Sequence, residues 1–216
     1  MKTKTIALTA LLLLLHYAPL TAQTAEFYLR TDLGVSMIHF KPARPTGLRM
    51  TYGLGGDALV KFNWKNLTVN PSFLFTNTGY TYKEDNEREH VSVKSIRIDA
   101  PIRLNVFKNK PIGNRISLGL GPYYSMPITG HYSDNNRNRK MSFGNTSDSR
   151  KAYDMGAVIK AFYNLKGDGG PFLSLQCNWG ILNLTPRALA REGAPSFNSR
   201  NFYITYSHPL RAIFKY

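Results

Sequence analysis

Along most of the chain, apolar and polar residues alternate one for one. In Ile96-Arg97-Ile98-Asp99-Ala100-Pro101-Ile102-Arg103-Leu104-Asn105-Val106 every even position is apolar, and the odd ones are Arg, Asp, Pro, Arg and Asn. A helix would scatter those charges over all its sides, whereas a strand puts them on one face and the apolar residues on the other. Leu67, Val69, Phe73 and Phe75 alternate likewise with Thr68, Asn70, Ser72 and Thr76. Leu173, Leu175, Cys177 and Trp179 alternate with Ser174, Gln176, Asn178 and Gly180. The pattern predicts eight strands, at about 27–39, 50–62, 67–82, 92–107, 115–130, 150–164, 171–182 and 200–216.

The spacing of these segments carries a second signal. Gaps 63–66, 108–114 and 165–170 are short and rich in turn residues, as in Lys166-Gly167-Asp168-Gly169-Gly170. Gaps 40–49, 83–91, 131–149 and 183–199 are longer. Short turns at one end and long loops at the other are the layout of an outer-membrane barrel. The expectation is an all-β, eight-stranded antiparallel up-and-down transmembrane barrel.

The polar face separates this from a soluble β-sandwich, the alternative that alternation alone allows. Inside a small barrel, side chains just fill the space, so enclosed charges need opposite partners. The predicted inner face carries both signs: Arg30, Asp32, Asp57, Lys61, Arg97, Asp99, Arg103, Asp154 and Lys160. The opposite face holds almost no charge, and Phe27, Tyr52, Trp64, Tyr80, Tyr82, Trp179 and Tyr203 near strand ends are expected as interfacial girdles. Pro71, Pro101, Pro122, Pro127 and Pro209 fit badly, because proline removes a ladder hydrogen bond and a closed barrel has no edge for it.

Residues 1–22 read as a signal peptide. Lys2 and Lys4 precede the apolar run Ile6–Leu15, and Ala22 suits a cut before Gln23, with a cut after Ala25 as the alternative. Residues 23–216 then form the barrel domain. No later stretch is long and apolar enough for a membrane helix, so a membrane-embedded chain must span as a barrel. The final segment, with Phe202, Ile204, Tyr206, Leu210, Phe214 and the terminal Tyr216, resembles the signal read by the outer-membrane assembly machinery.

The chain has 216 residues and a formal net charge of +15. Without Lys2 and Lys4, 26 basic residues face 13 acidic ones, a net +13. The basic residues are dispersed, which argues against nucleic acid and for anionic outer-membrane lipids and lipopolysaccharide. Cys177 is the sole cysteine, so there is no internal disulfide and no cysteine metal cluster.

Phe73-Leu74-Phe75 through Gly79-Tyr80, Ser95–Leu104, Ile116–Tyr124 with its Gly-Leu-Gly-Pro, Tyr153–Tyr163 and Phe202–Tyr206 together resemble the PorT-like outer-membrane β-barrel family of the Bacteroidetes. The resemblance implies a cell outer membrane location, a structural, surface or secretion-accessory role, and envelope or secretion proteins as partners. One member of that family serves type IX protein secretion, and the family offers no catalytic residues to carry over.

No catalytic, cofactor-binding or metal site is assigned, and no cofactor is expected. His131 and Ser133 have the two-residue spacing of a lipid A deacylase pair, but no Glu follows until Glu192, and Asp148 could orient the histidine only by folding back. Read structurally, the pair begins a polar loop. The segment Ser133–Arg150, with Arg137, Arg139, Lys140 and Arg150, suits contact with lipopolysaccharide phosphates or a solvated loop. His39, His90 and His208 lack ligand spacing. A lipid A-modifying enzyme, a small diffusion channel and a soluble periplasmic or secreted β-sandwich binding module are the alternatives. Arginine at Ile98 or Leu104 is expected to block assembly.

Overall fold

A computed structural model describes residues 22–41, 46–62, 67–84, 87–105, 115–133, 138–144, 152–166, 169–182, 184 and 196–210. Residues 1–21 of the expected signal peptide, Trp64, Asp148 and Glu192, and the final residues 211–216 lie outside these. Twelve strands are present: β1 (Ala22–Lys41), β2 (Thr46–Gly47), β3 (Arg49–Phe62), β4 (Thr68–Val69), β5 (Ser72–Glu84), β6 (Glu87–Asp99), β7 (Ile102–Leu104), β8 (Ile116–Ser133), β9 (Asn138–Lys140), β10 (Asp154–Asn164), β11 (Phe172–Gly180) and β12 (Ser196–Pro209). They build eight staves, because β2 with β3, β4 with β5 and β6 with β7 each share one, and β9 folds back on β8. Each stave runs antiparallel to its neighbours, and β12 pairs with β1 from Tyr28↔Pro209 to Lys41↔Ser196, which closes the ring. Closure leaves no edge strand to recruit another chain.

The alternation has the predicted sense. Leu54, Phe75, Leu120, Leu175 and Ile204 point outward and are more than half exposed, while Arg30, Asp32, Asp57, Arg97, Asp99 and Lys160 on the other face are almost fully buried. A soluble sandwich would show the reverse. At one end, however, the polarity of β5 and β6 changes over. Outward positions become Asn77, Ser92, His90 and Lys94, and inward ones become Ile38, Phe40, Tyr80, Val91 and Met141, a buried apolar cluster. The physical reason is a change of solvent: below the switch the wall faces hydrocarbon, and above it water. A transmembrane strand needs only about ten residues, and β1 has 20, so the staves rise past the bilayer as an ordinary water-facing barrel.

This changeover corrects two girdle assignments. Tyr80 and Tyr203 are buried inside, whereas Phe27, Tyr52 and Trp179 do face outward. Two expected long loops are also corrected. Only residues 42–45 separate β1 from β2, and only 85–86 separate β5 from β6, whose pairing runs to Glu84↔Glu87. Backbone pairing continues there, residue for residue, from β5 into β6. The longer connections, 141–153 and 181–195, are at this same end.

The prolines have a structural solution. Pro71 and Pro101 sit in the breaks between β4 and β5 and between β6 and β7. Ala58 donates its N–H to the Pro71 carbonyl (2.8 Å), Asn70 to Pro101 (2.9 Å) and Ala100 to Pro122 (3.1 Å). The three interruptions thus line up across neighbouring staves, so each missing N–H falls where the adjoining ladder is already broken. The backbones close in here: a Cβ on Gly121 would lie 2.5 Å from the Ala100 carbonyl oxygen. Pro127 adjoins the bulge opposite Lys94/Ser95, and Pro209 ends β12.

Outward charge is therefore predicted to defeat insertion. Ile98→Arg and Ile204→Arg should each cost about 2–4 kcal/mol near mid-membrane. Loss of both variants from the outer-membrane fraction is the expected result, checked by fractionation against the parent chain.

Candidate functional site

The inner face is built around one charged cluster. Arg30 of β1 is fully buried, and its Nε and Nη2 hold both oxygens of Asp32 at 2.7 and 3.0 Å. Its Nη1 reaches Asp57 of β3 at 3.2 Å and the Ser72 hydroxyl of β5 at 2.8 Å. Arg97 of β6 donates to Asp32 through Nη2 and lies beside Asp99, Nε to Oδ2 3.5 Å. Lys160 of β10 donates to Asp99 at 2.7 Å. Ser207 of β12 caps Asp57 at 2.6 Å, and Gln176 of β11 accepts from Arg30. Three cations face three carboxylates, so the cluster is neutral. It ties together seven of the eight staves.

The physical need for this balance is strict. Each charge taken out of water costs several kcal/mol, regained only through close oppositely charged partners and hydrogen bonds. The sequence provides room with small residues, and it provides fixed geometry through arginine's bidentate fork. Below the cluster, toward the short turns and chain ends, Arg103 donates to Ser117 and, at 2.9 Å, to Asn164, and lies 4.6 Å above the Phe162 ring. Tyr28, Leu59, Phe162 and Phe172 close that end as a second buried apolar group. Lys61 pairs with Glu26 at 3.8 Å.

Above the cluster lies a cavity of about 80 Å³, bounded by Arg97, Asn178, Tyr203, Asp154, Val93 and Phe143 among others. Such a space holds a few waters and is too small for a typical ligand pocket. Asp154 accepts from the Tyr123 hydroxyl (3.0 Å) and from Ser199. The apolar group of Ile38, Phe40, Tyr80, Val91 and Met141 packs above this space. Charged plug and apolar cap together leave the interior filled with side chains, as expected for eight strands.

All nine charged residues predicted for the inner face are inside. The candidate chemistry is arranged otherwise. His131 and Ser133 lie on the outer face of β8, with His131 exposed and paired with Ser92 and Lys140, neither of them an acid. His90, opposite Ser133, has its Nδ1 bonded to the Thr81 hydroxyl at 3.0 Å. His39 is on β1, and His208 on β12 meets the Tyr206 hydroxyl at 3.0 Å. Among the described residues no group of three or more potential metal ligands gathers. The apolar inner groups at both ends escaped the sequence reading, although Leu59, Val91 and Phe162 share the parity of the charged positions and so carried the signal.

No family model matches the chain, and no curated protein is similar to it. Among solved structures, Neisserial surface protein A (NspA) aligns with a TM-score of 0.53 at 10% identity, over 86% of this chain and 99% of that one. The architecture is that of an eight-stranded outer-membrane barrel. Ail of Yersinia pestis aligns at 12% identity and a TM-score of 0.43, over 86% of this chain and 99% of its own. For OprG of Pseudomonas aeruginosa the values are 9% and 0.34, over 87% and 95%. At these identities the likeness is one of fold.

The cluster should dominate stability. Asp99→Asn leaves Lys160 and Arg97 short of a counter-charge, an expected loss of about 3–5 kcal/mol. The urea midpoint of the barrel refolded in micelles measures it, and Asp99→Asn combined with Lys160→Met should recover part of the loss.

Proposed function

We propose that the chain is a non-enzymatic β-barrel of the cell outer membrane with a structural, surface or secretion-accessory role. One observation carries this reading: the closed ring turns its apolar side chains outward and a neutral, buried set of six charges inward. Only a hydrocarbon surround makes that arrangement favourable. The NspA-like fold supports it. The secretion-accessory component rests on the PorT-like sequence resemblance alone, and it would engage envelope or secretion proteins through the end bearing the longer connections.

The filled interior disfavours a diffusion channel. A lipid A-modifying activity has the outward His131 and Ser133 in its favour, and the absence of an acid among the residues paired with them against it.

The test is gel mobility of membrane-extracted protein with and without boiling. A heat-shifted band in the outer-membrane fraction is expected. A soluble protein without a shift would overturn the reading. Ala at both His131 and Ser133 should leave lipid A acylation unchanged, as read by mass spectrometry of extracted lipid A.

A further inference from the structure

The excess positive charge of this chain is not in the barrel interior, where the central cluster is neutral. Among the described residues, exposed basic side chains gather on the outer wall at and above the level where the outward face of β6 and β8 turns from apolar to polar. His90 and Lys94 of β6, His131 of β8 and Lys140 of β9 all face outward there and are exposed. Register makes three of them neighbours: His131 pairs directly with Lys140 and with Ser92, and Lys94 pairs with Thr129, two residues from His131. Of the carboxylates whose side chains are described, Glu26, Asp32, Asp57, Glu89, Asp99 and Asp154 share the inward parity of their strands, so none of these lies on this patch.

Directly below, on the same staves and on neighbouring β5, the wall is apolar: Ile128, Met126 and Tyr124 on β8, Ile96 and Ile98 on β6, and Phe75 on β5. A continuous strip thus runs from hydrocarbon-facing side chains to a triangle of two lysines and a histidine. Its polarity matches one kind of molecule, a lipid with acyl chains along the wall and a phosphate at the headgroup level. A free anion would find the cations but have no use for the strip below.

We infer that Lys94, His131 and Lys140 form a docking site for the phosphate of an outer-leaflet lipid, whose acyl chains lie over Ile96, Met126 and Ile128. The inference rests on the outer-membrane barrel reading and deepens it by naming the lipid chemistry its outer wall takes. Two lysines at a lipid headgroup phosphate hold it by direct charge attraction and ammonium hydrogen bonds. His131 adds a ring N–H between them.

Native mass spectrometry of the micelle-purified full chain tests this, with bisphosphorylated lipid A and enzymatically dephosphorylated lipid A as probes. Retention of the phosphorylated probe is expected, with roughly tenfold or greater loss of adduct in Lys94→Ala/Lys140→Ala. The dephosphorylated probe should bind the parent chain no better than the variant binds the phosphorylated one. Inorganic phosphate in excess should not displace the lipid. Equal adducts for both probes, or for parent and variant, would overturn the inference, and displacement by inorganic phosphate would reduce it to a plain anion patch. A heat-shifted band in parent and variant shows that both are folded barrels, so failure of the lipid site is distinguishable from failure of the barrel reading.

Discussion

The buried, neutral charge cluster is the constraint on which the rest of this structure depends. A closed barrel of eight staves must fill its interior, and here the middle of the filling is ionic, between apolar groups at the two ends. Arg30 hydrogen-bonds two carboxylates and two neutral side chains on its own stave and three others, and Lys160 and Arg97 approach the two different oxygens of Asp99. Polar interactions of this kind are directional, so they fix the relative register of staves that an apolar core would let slide. A one-residue slip of any stave would turn its charges into lipid and its leucines inward.

The membrane sets the other boundary condition. Hydrocarbon accepts only a wall with no unsatisfied backbone, and the row of prolines shows how this chain meets that demand. Asn70, Ala100 and Ala58 each bond the carbonyl of a proline on the next stave, so three interruptions become one seam instead of three defects. Above the bilayer the demand lapses. The outward face of β5 and β6 becomes polar, the inward face becomes apolar, and Ile38, Phe40, Tyr80, Val91 and Met141 pack as they would in a soluble protein.

Much of this was legible in the sequence, because a period of two survives any later detail of packing. The face assignments of Arg97, Asp99, Ile98 and Leu104 followed from alternation alone. The girdle assignments of Tyr80 and Tyr203 failed because residue type was allowed to outweigh parity: both occupy inward positions of their strands. The hairpins at 42–45 and 85–86 were hidden because turn-type residues such as Pro42, Pro45, Asp85 and Asn86 occur equally in long loops and short ones. No local signal encodes the seam, since Pro71, Pro101 and Pro122 are far apart in sequence and meet only when the staves are in register. The outer basic patch was partly visible at Lys140, but its companions Lys94 and His131 join it only through strand pairing.

The central claim is that this barrel is apolar outside and polar inside while it sits in lipid. Spin labels placed one at a time at residues 202–207 of β12, in a Cys177→Ser background reconstituted into bilayers, test it directly. The account predicts high oxygen accessibility at Phe202, Ile204 and Tyr206 and low accessibility at Tyr203, Thr205 and Ser207. Uniform accessibility, or even positions reached by a water-soluble relaxation agent and not by oxygen, would contradict it.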